Sequence, residues 1–179
     1  MLTYMKTAPG KYNDYDSLLH NYSRKIYDYL IQQGTDLSGS TYEVLMPSGT
    51  SADYNVVGVT VSDKIDNLLD PTMTGKDLFA KALANASAQE ADSVMKKFAE
   101  VRSMVKREIY IPRSSTNENG PPTKAPAKYV QVDYMTPVPG KEAQYAKMES
   151  DVFRPVHKQR VALNVIKGWE LFEKVMPSD

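Results

Sequence analysis

Of the residues suited to proton transfer near neutral pH, the chain holds two histidines, His20 and His157, and His157 has the more suggestive neighbours. Arg154 lies three residues before it and Arg160 three after. Pro155 removes a helical backbone bond to Asp151, which predicts a kink. A kinked helix that aims His157 and Arg154 or Arg160 at a cavity would make an acid/base and anion-binding site. The plainer alternative is a helix-surface histidine, because a single unpaired titratable group rarely carries catalysis. A metal site is a poor fit, since the neighbours at helical spacing include Phe153 and Arg160 and the nearest glutamate, Glu149, is eight residues away. Trp169, the only tryptophan, follows Gly168 at the mouth of a strand, where it either stacks on a ligand or fills core. Tyr4 and Tyr134 alternate with apolar residues, and hydroxyls pointing into a cavity would need partners there. The candidate ligand-binding set is therefore Tyr4, Tyr134, Arg154, His157 and Trp169. No residue is assigned to catalysis or to a metal, and no cofactor is expected.

Asp63, Asp66 and Asp70 lack the D-x-D-x-D-G spacing of a calcium loop and its twelfth-position glutamate, so they read as a helix start and a turn. No Walker loop, G-x-G-x-x-G, G-x-S-x-G or H-E-x-x-H occurs. With no cysteine, thiolate zinc sites, iron–sulfur clusters and cysteine nucleophiles are excluded. Lys plus Arg and Asp plus Glu both number 22, so the basic excess of a nucleic-acid partner is missing. No apolar run is long enough for a membrane span, so membrane insertion is not expected. The first residues lack the apolar stretch of a signal peptide, but a start inside a repeat unit (below) leaves localisation open.

These residues must be positioned by elements, and the elements repeat. Residues 2–49 and 132–179 align without a gap at a constant offset of 130, with eleven identical pairs over 48 positions. The matches cluster in order as Tyr-Met, Pro-Gly-Lys and Met-Pro-Ser. This reads as a duplication. In each copy the grammar is β–α–β. Tyr129 to Met135 alternates as a half-buried strand, a turn at Pro139-Gly140 breaks it, and Tyr145, Met148, Val152 and Val156 form a helical stripe. The first copy repeats this with Tyr15, Leu18, Tyr22, Ile26 and Tyr29. A second strand is predicted at Thr41–Met46 and at Trp169–Met176.

Only the first copy continues. Tyr54–Val61 is rich in β-branched residues and predicts a third strand. Phe79 and Leu83 suggest a short helix, and Ser87-Ala-Gln-Glu90 is a capping box before a helix with Val94, Phe98, Val101 and Val105 on one face. Glu108–Pro112 reads as a fourth strand. The order β-α-β-β-α-β is the ferredoxin-like plan. The expected class is α+β with tandem ferredoxin-like units: a complete one at 1–112, a Pro/Ser/Asn-rich linker at 113–126, and a partial one at 127–179. On this reading Trp169–Met176 has no strand neighbour, and both chain ends fall inside a repeat unit.

The residues Tyr-Val-Gln-Val-Asp-Tyr-Met, Pro-Gly-Lys-Glu, Arg154-Pro-Val-His157 and Lys167-Gly-Trp-Glu-Leu resemble those of bacterial tandem-repeat proteins of the dimeric α+β barrel kind. NIPSNAP-like proteins and antibiotic-biosynthesis monooxygenases belong to that superfamily. The resemblance implies two ferredoxin-like sheets packed face to face, with a cavity between each sheet and its helices. It implies fold and carries no activity to individual residues. Three functions stay open: a small-ligand-binding module, a cofactor-independent oxygenase-like enzyme, and an assembly protein. The expected partners are another copy, through sheet faces or between the two units, and a small molecule.

Overall fold

The computed structural model of the chain describes residues 1–47, 52–70, 76–83, 86–117 and 127–177. The class is α+β, and the chain divides into two units, Met1–Glu108 and Ile109–Asp179. In the first, β1 (Leu2–Thr7) turns at Gly10, whose φ of +73° suits a residue without a Cβ. Then come α1 (Tyr12–Leu18), a π-helical turn (Leu19–Ser23) and α2 (Arg24–Gln32). The unit continues with β2 (Ser38–Glu43), β3 (Val56–Val61), α3 (Ile65–Leu69), α4 (Lys76–Ala82) and α5 (Ala88–Val101). The Ser-x-x-Glu pattern caps α5 as predicted. The Ser87 hydroxyl accepts from the Glu90 N–H at 3.2 Å, and the Ser87 N–H donates to the Glu90 carboxylate at 2.7 Å. The last strand is β4 (Arg102–Ser115). The second unit holds α6 (Glu142–Met148), a π-helical turn (Glu149–Phe153), α7 (Arg154–Ala162) and β5 (Glu170–Met176).

In the first unit the strands pair in the order β2-β3-β1-β4, and in the second the far half of β4 pairs with β5, each pair antiparallel. Arg102–Glu108 of β4 pairs with β1, and the rest of β4 with β5. The core of the first unit is Met5, Tyr15, Leu18, Val56, Val94, Phe98 and Val101, where strands β1 and β3 meet α1 and α5. Each such side chain withdrawn from water contributes about 1.5–3 kcal/mol. Along β3, Val56, Gly58 and Thr60 are buried while Val57, Val59 and Val61 are only half-buried, the period-2 signature of a strand covered more on one face.

Four expectations need correction. Tyr129–Met135 forms no strand; it is exposed throughout, although its counterpart in the first unit is β1. Alternation alone makes no strand, and among the described residues of the second unit only β4 and β5 exchange ladder bonds. β5 does have a neighbour, the far half of β4, contrary to the open edge expected at Trp169–Met176. Val105 belongs to β4 and not to the helix before it, because the chain turns extended at Arg102 (φ −150°, ψ 156°) to pair with β1. β4 itself starts six residues earlier than expected and runs on through Pro112 to Ser115, into the segment read as linker. Pro112 fits there because the register slips between Pro112 and Ser114, an irregularity that relieves a strand of one amide donor. Residues 118–126 of that linker lie outside the described residues.

The helical stripes are real but interrupted. In both units a π turn separates the two helices, and the second begins at Arg24 or Arg154. Pro155 follows the turn in one unit and Lys25 in the other, so proline is not what makes the distortion. Among the described residues no helix is long and apolar enough to cross a membrane.

Candidate functional site

Between the helices and the sheet of the first unit lies a cavity of about 510 Å³. Its helical wall includes Tyr15, Ile26, Tyr27, Leu30 and Phe98; its sheet wall includes Thr3, Met5, Thr41 and Gly58. Two arginines of β4, Arg102 and Arg107, line it as well. Five residues apart, they would lie on opposite faces of a regular strand. The pairing with β1 slips between Tyr4 and Met5, so Met5 faces Met104 while Tyr4 faces Lys106. This bulge returns Arg107 to the face of Arg102 and Met104. It also sends Lys106 to the other side, where its ammonium sits 4.5 Å from the Tyr4 ring centre and 3.0 Å from the Glu108 carboxylate.

Arg102 is half-buried, its guanidinium carbon 5.6 Å from the Phe98 ring centre and 6.0 Å from that of Tyr15. Its Nε is buried and has no hydrogen-bond partner among the described residues. The Tyr15 hydroxyl donates to the Met5 sulfur at 3.2 Å. Burial pushes that hydroxyl up to about 12, against the charge and hydrogen bond of Arg102. Burial raises the Tyr27 hydroxyl too, opposed by its hydrogen bond with Thr60. Both phenols therefore serve as neutral hydrogen-bonding groups at neutral pH.

Asp36 also lines the cavity and is buried, which raises its carboxyl against the pull of the nearby amino terminus. The folded state thus holds this proton more tightly than the unfolded chain. The associated stability is complete below the ordinary carboxylate range and is lost as pH rises through the raised value. Asp36→Asn is expected to raise the melting temperature at pH 7 and to lose that advantage at about pH 3, where an unfolded aspartate is itself mostly protonated. Thermal melts by circular dichroism at the two pH values check this, and equal gains at both would refute it.

Of the residues singled out from sequence, His157 and Trp169 come together in the second unit. Their rings stack with centres 4.9 Å apart and planes 9° from parallel. Arg160 reaches the His157 Nδ1 at 3.3 Å; an arginine only donates, so this geometry assigns the ring proton to Nε2. Thr116 fixes Trp169 from β4's end, its hydroxyl accepting the Trp169 N–H at 2.9 Å and its own N–H donating to the Trp169 carbonyl at 3.0 Å. Arg154 is half-buried in the first turn of α7. Tyr134 is exposed. Tyr4 belongs to the first unit and is fully buried, edge-on to Tyr54 at 4.7 Å. It lies on the face of β1 opposite Thr3 and Met5, so it does not line the cavity.

At the positions equivalent to His157 and Trp169, the first unit has Tyr27 and Gly39. They also touch: the Tyr27 ring lies directly over Gly39, where any Cβ would collide with it, and its hydroxyl reaches the space over Gly58. No protein-family model, curated protein or solved structure matches the chain. The site must therefore be read from its own geometry. Among the described residues no three His, Asp or Glu side chains converge on a point. What converges in the first unit is an apolar hollow with two phenols and two guanidinium groups. Sequence reasoning missed the arginines because a bulge is invisible in a five-residue spacing.

Proposed function

We propose that the chain is a small-molecule-binding protein of the dimeric α+β barrel kind and that its binding site is the cavity of the first unit. The observation that carries this is the hollow of about 510 Å³ between sheet and helices, within the size range of small-ligand sites. The reading of the first unit as ferredoxin-like is supported by its element order and by the strand order β2-β3-β1-β4. The reading of the chain as a tandem is supported by the offset of 130 between the two sets of helices. The first helix spans Tyr12–Leu18 and Glu142–Met148, the π turn Leu19–Ser23 and Glu149–Phe153, the second helix Arg24–Gln32 and Arg154–Ala162. A left-handed residue follows at Gly34 and at Asn164.

Binding is preferred over oxygenase-like catalysis because neither histidine, His20 or His157, is among the residues that line the cavity. The test is uptake of the neutral dye Nile red, followed by fluorescence. Wild type is expected to bind it with a dissociation constant of about 1–10 µM. Ile26→Trp, which fills the hollow from α2, is expected to weaken binding at least about ten-fold with an unchanged circular dichroism spectrum. Absence of dye binding to wild type would overturn the proposal.

A second reading, self-association, is favoured by one observation. Tyr129, Val130, Val132, Met135 and Val138 are all exposed within residues 129–138. Such a cluster is unusual on a monomer. Analytical ultracentrifugation measures whether copies pair there.

A further inference from the structure

We propose that the cavity of the first unit selects ligands that carry a carboxylate on an apolar or aromatic body, with the carboxylate seated on Arg102. This rests on the reading of the hollow as a binding site and adds the ligand's charge. Three observations carry it. The buried Arg102 Nε has no partner among the described residues, and a buried donor left without an acceptor is costly. Neither Arg102 nor Arg107 is paired with a carboxylate among the described residues, although a bulge in β4 turns both to the same cavity. The Phe98 and Tyr15 rings flank Arg102, so a group bound to it is seated beside aromatic walls. A planar carboxylate can accept from Nε and an adjacent terminal nitrogen at once, the two-bond fork that guanidinium offers. Arg107 is exposed and adds positive charge at the same cavity. Asp36 and Asp70 are the opposing carboxylates in its lining, and burial of Asp36 favours its protonated form.

The experiment is isothermal titration calorimetry at pH 7 with a matched pair of probes, 2-naphthoate and 2-naphthalenemethanol, which share a ring system and differ in charge. Wild type is expected to bind the acid at least about ten-fold more tightly than the alcohol, as a charge-assisted contact implies. Arg102→Met is expected to abolish that preference, so that acid and alcohol bind with equal affinity. Arg102→Lys keeps the charge but loses Nε, and is expected to retain only part of the preference. It carries the test if the methionine variant does not fold. If neither probe nor Nile red binds, the binding-site reading fails and this inference with it. If both probes bind equally to wild type, the site stands and the carboxylate inference is overturned. A preference that survives in both variants overturns Arg102 as the seat.

Discussion

Gly39→Ala is expected to destabilise the first unit by about 1–3 kcal/mol, the usual cost of forcing atoms into a filled site. In a strand the opposite sign is the ordinary one, since alanine is favoured over glycine there by about 0.5–1 kcal/mol. The reversal comes from Tyr27, whose ring occupies the place a Cβ would take. To admit alanine, the ring must lift from β2, and its hydroxyl then leaves the neighbourhood of Gly58 and the hydrogen bond with Thr60. Gly39→Val is expected to cost more, and a loss of about 3 kcal/mol lowers the melting temperature by about 6–12 °C for a chain of this size. The decisive measurement is a double-mutant cycle by urea unfolding. In a Tyr27→Ala background the clash is gone, so Gly39→Ala is expected to be neutral or mildly stabilising. An equal cost in both backgrounds would mean that Tyr27 is not the obstacle.

The same pair of positions shows what was legible in the sequence. The offset of 130 matches Tyr27 to His157 and Gly39 to Trp169, but the residue types share nothing, and nothing local says that the two positions touch. In three dimensions a large ring over a glycine has become a smaller ring over the largest side chain. Helices were readable because their stripes, the Pro-Gly turns and the Ser87 cap are local signals, and β3 because its β-branched run is dense. The π turns were not, since one inserted residue in a helix leaves the three-and-four spacing nearly intact. The extent of β4 was hidden for a related reason. Val94, Phe98, Val101 and Val105 fit a helix, and only pairing with β1 decides that the chain becomes a strand at Arg102. Arg102 and Arg107 were overlooked because a bulge, not a period, places them on one face. The reading of Tyr4 as a cavity residue failed on parity. Thr3 and Met5 took that face, and Tyr4 took the other.

Tyr129–Met135 carries the second large effect. In β1, Leu2–Met5, the counterparts of Val132–Met135, have ladder partners on both sides, Val56–Val59 of β3 and residues 104–108 of β4. Tyr129–Met135 has the same alternation and none of that pairing, and Val130 and Val132 stand more than half exposed. Alternation of this kind can serve as a template for another strand. The occupant that fits is a second copy of the same segment. An antiparallel two-fold pairing that sets Lys128 of each copy opposite Asp133 of the other also sets Tyr129 opposite Val132. Charged and aromatic–aliphatic cross-strand pairs of this kind contribute about 0.2–1 kcal/mol each. The zero net charge of the chain leaves no overall repulsion to oppose association. Wild type is therefore expected to sediment as a dimer at about 0.1 mM, which requires a dissociation constant in the micromolar range or below. Val130→Glu with Val132→Glu is expected to yield a monomer of unchanged circular dichroism, because the double change buries two unpaired carboxylates in the seam. Val152→Glu serves as the control, an equally exposed valine on the π turn after α6 that should leave the dimer intact. A monomeric wild type at that concentration would exclude the pairing. Dissociation by Val152→Glu as well would show that general apolar stickiness, and not this strand, holds the copies together.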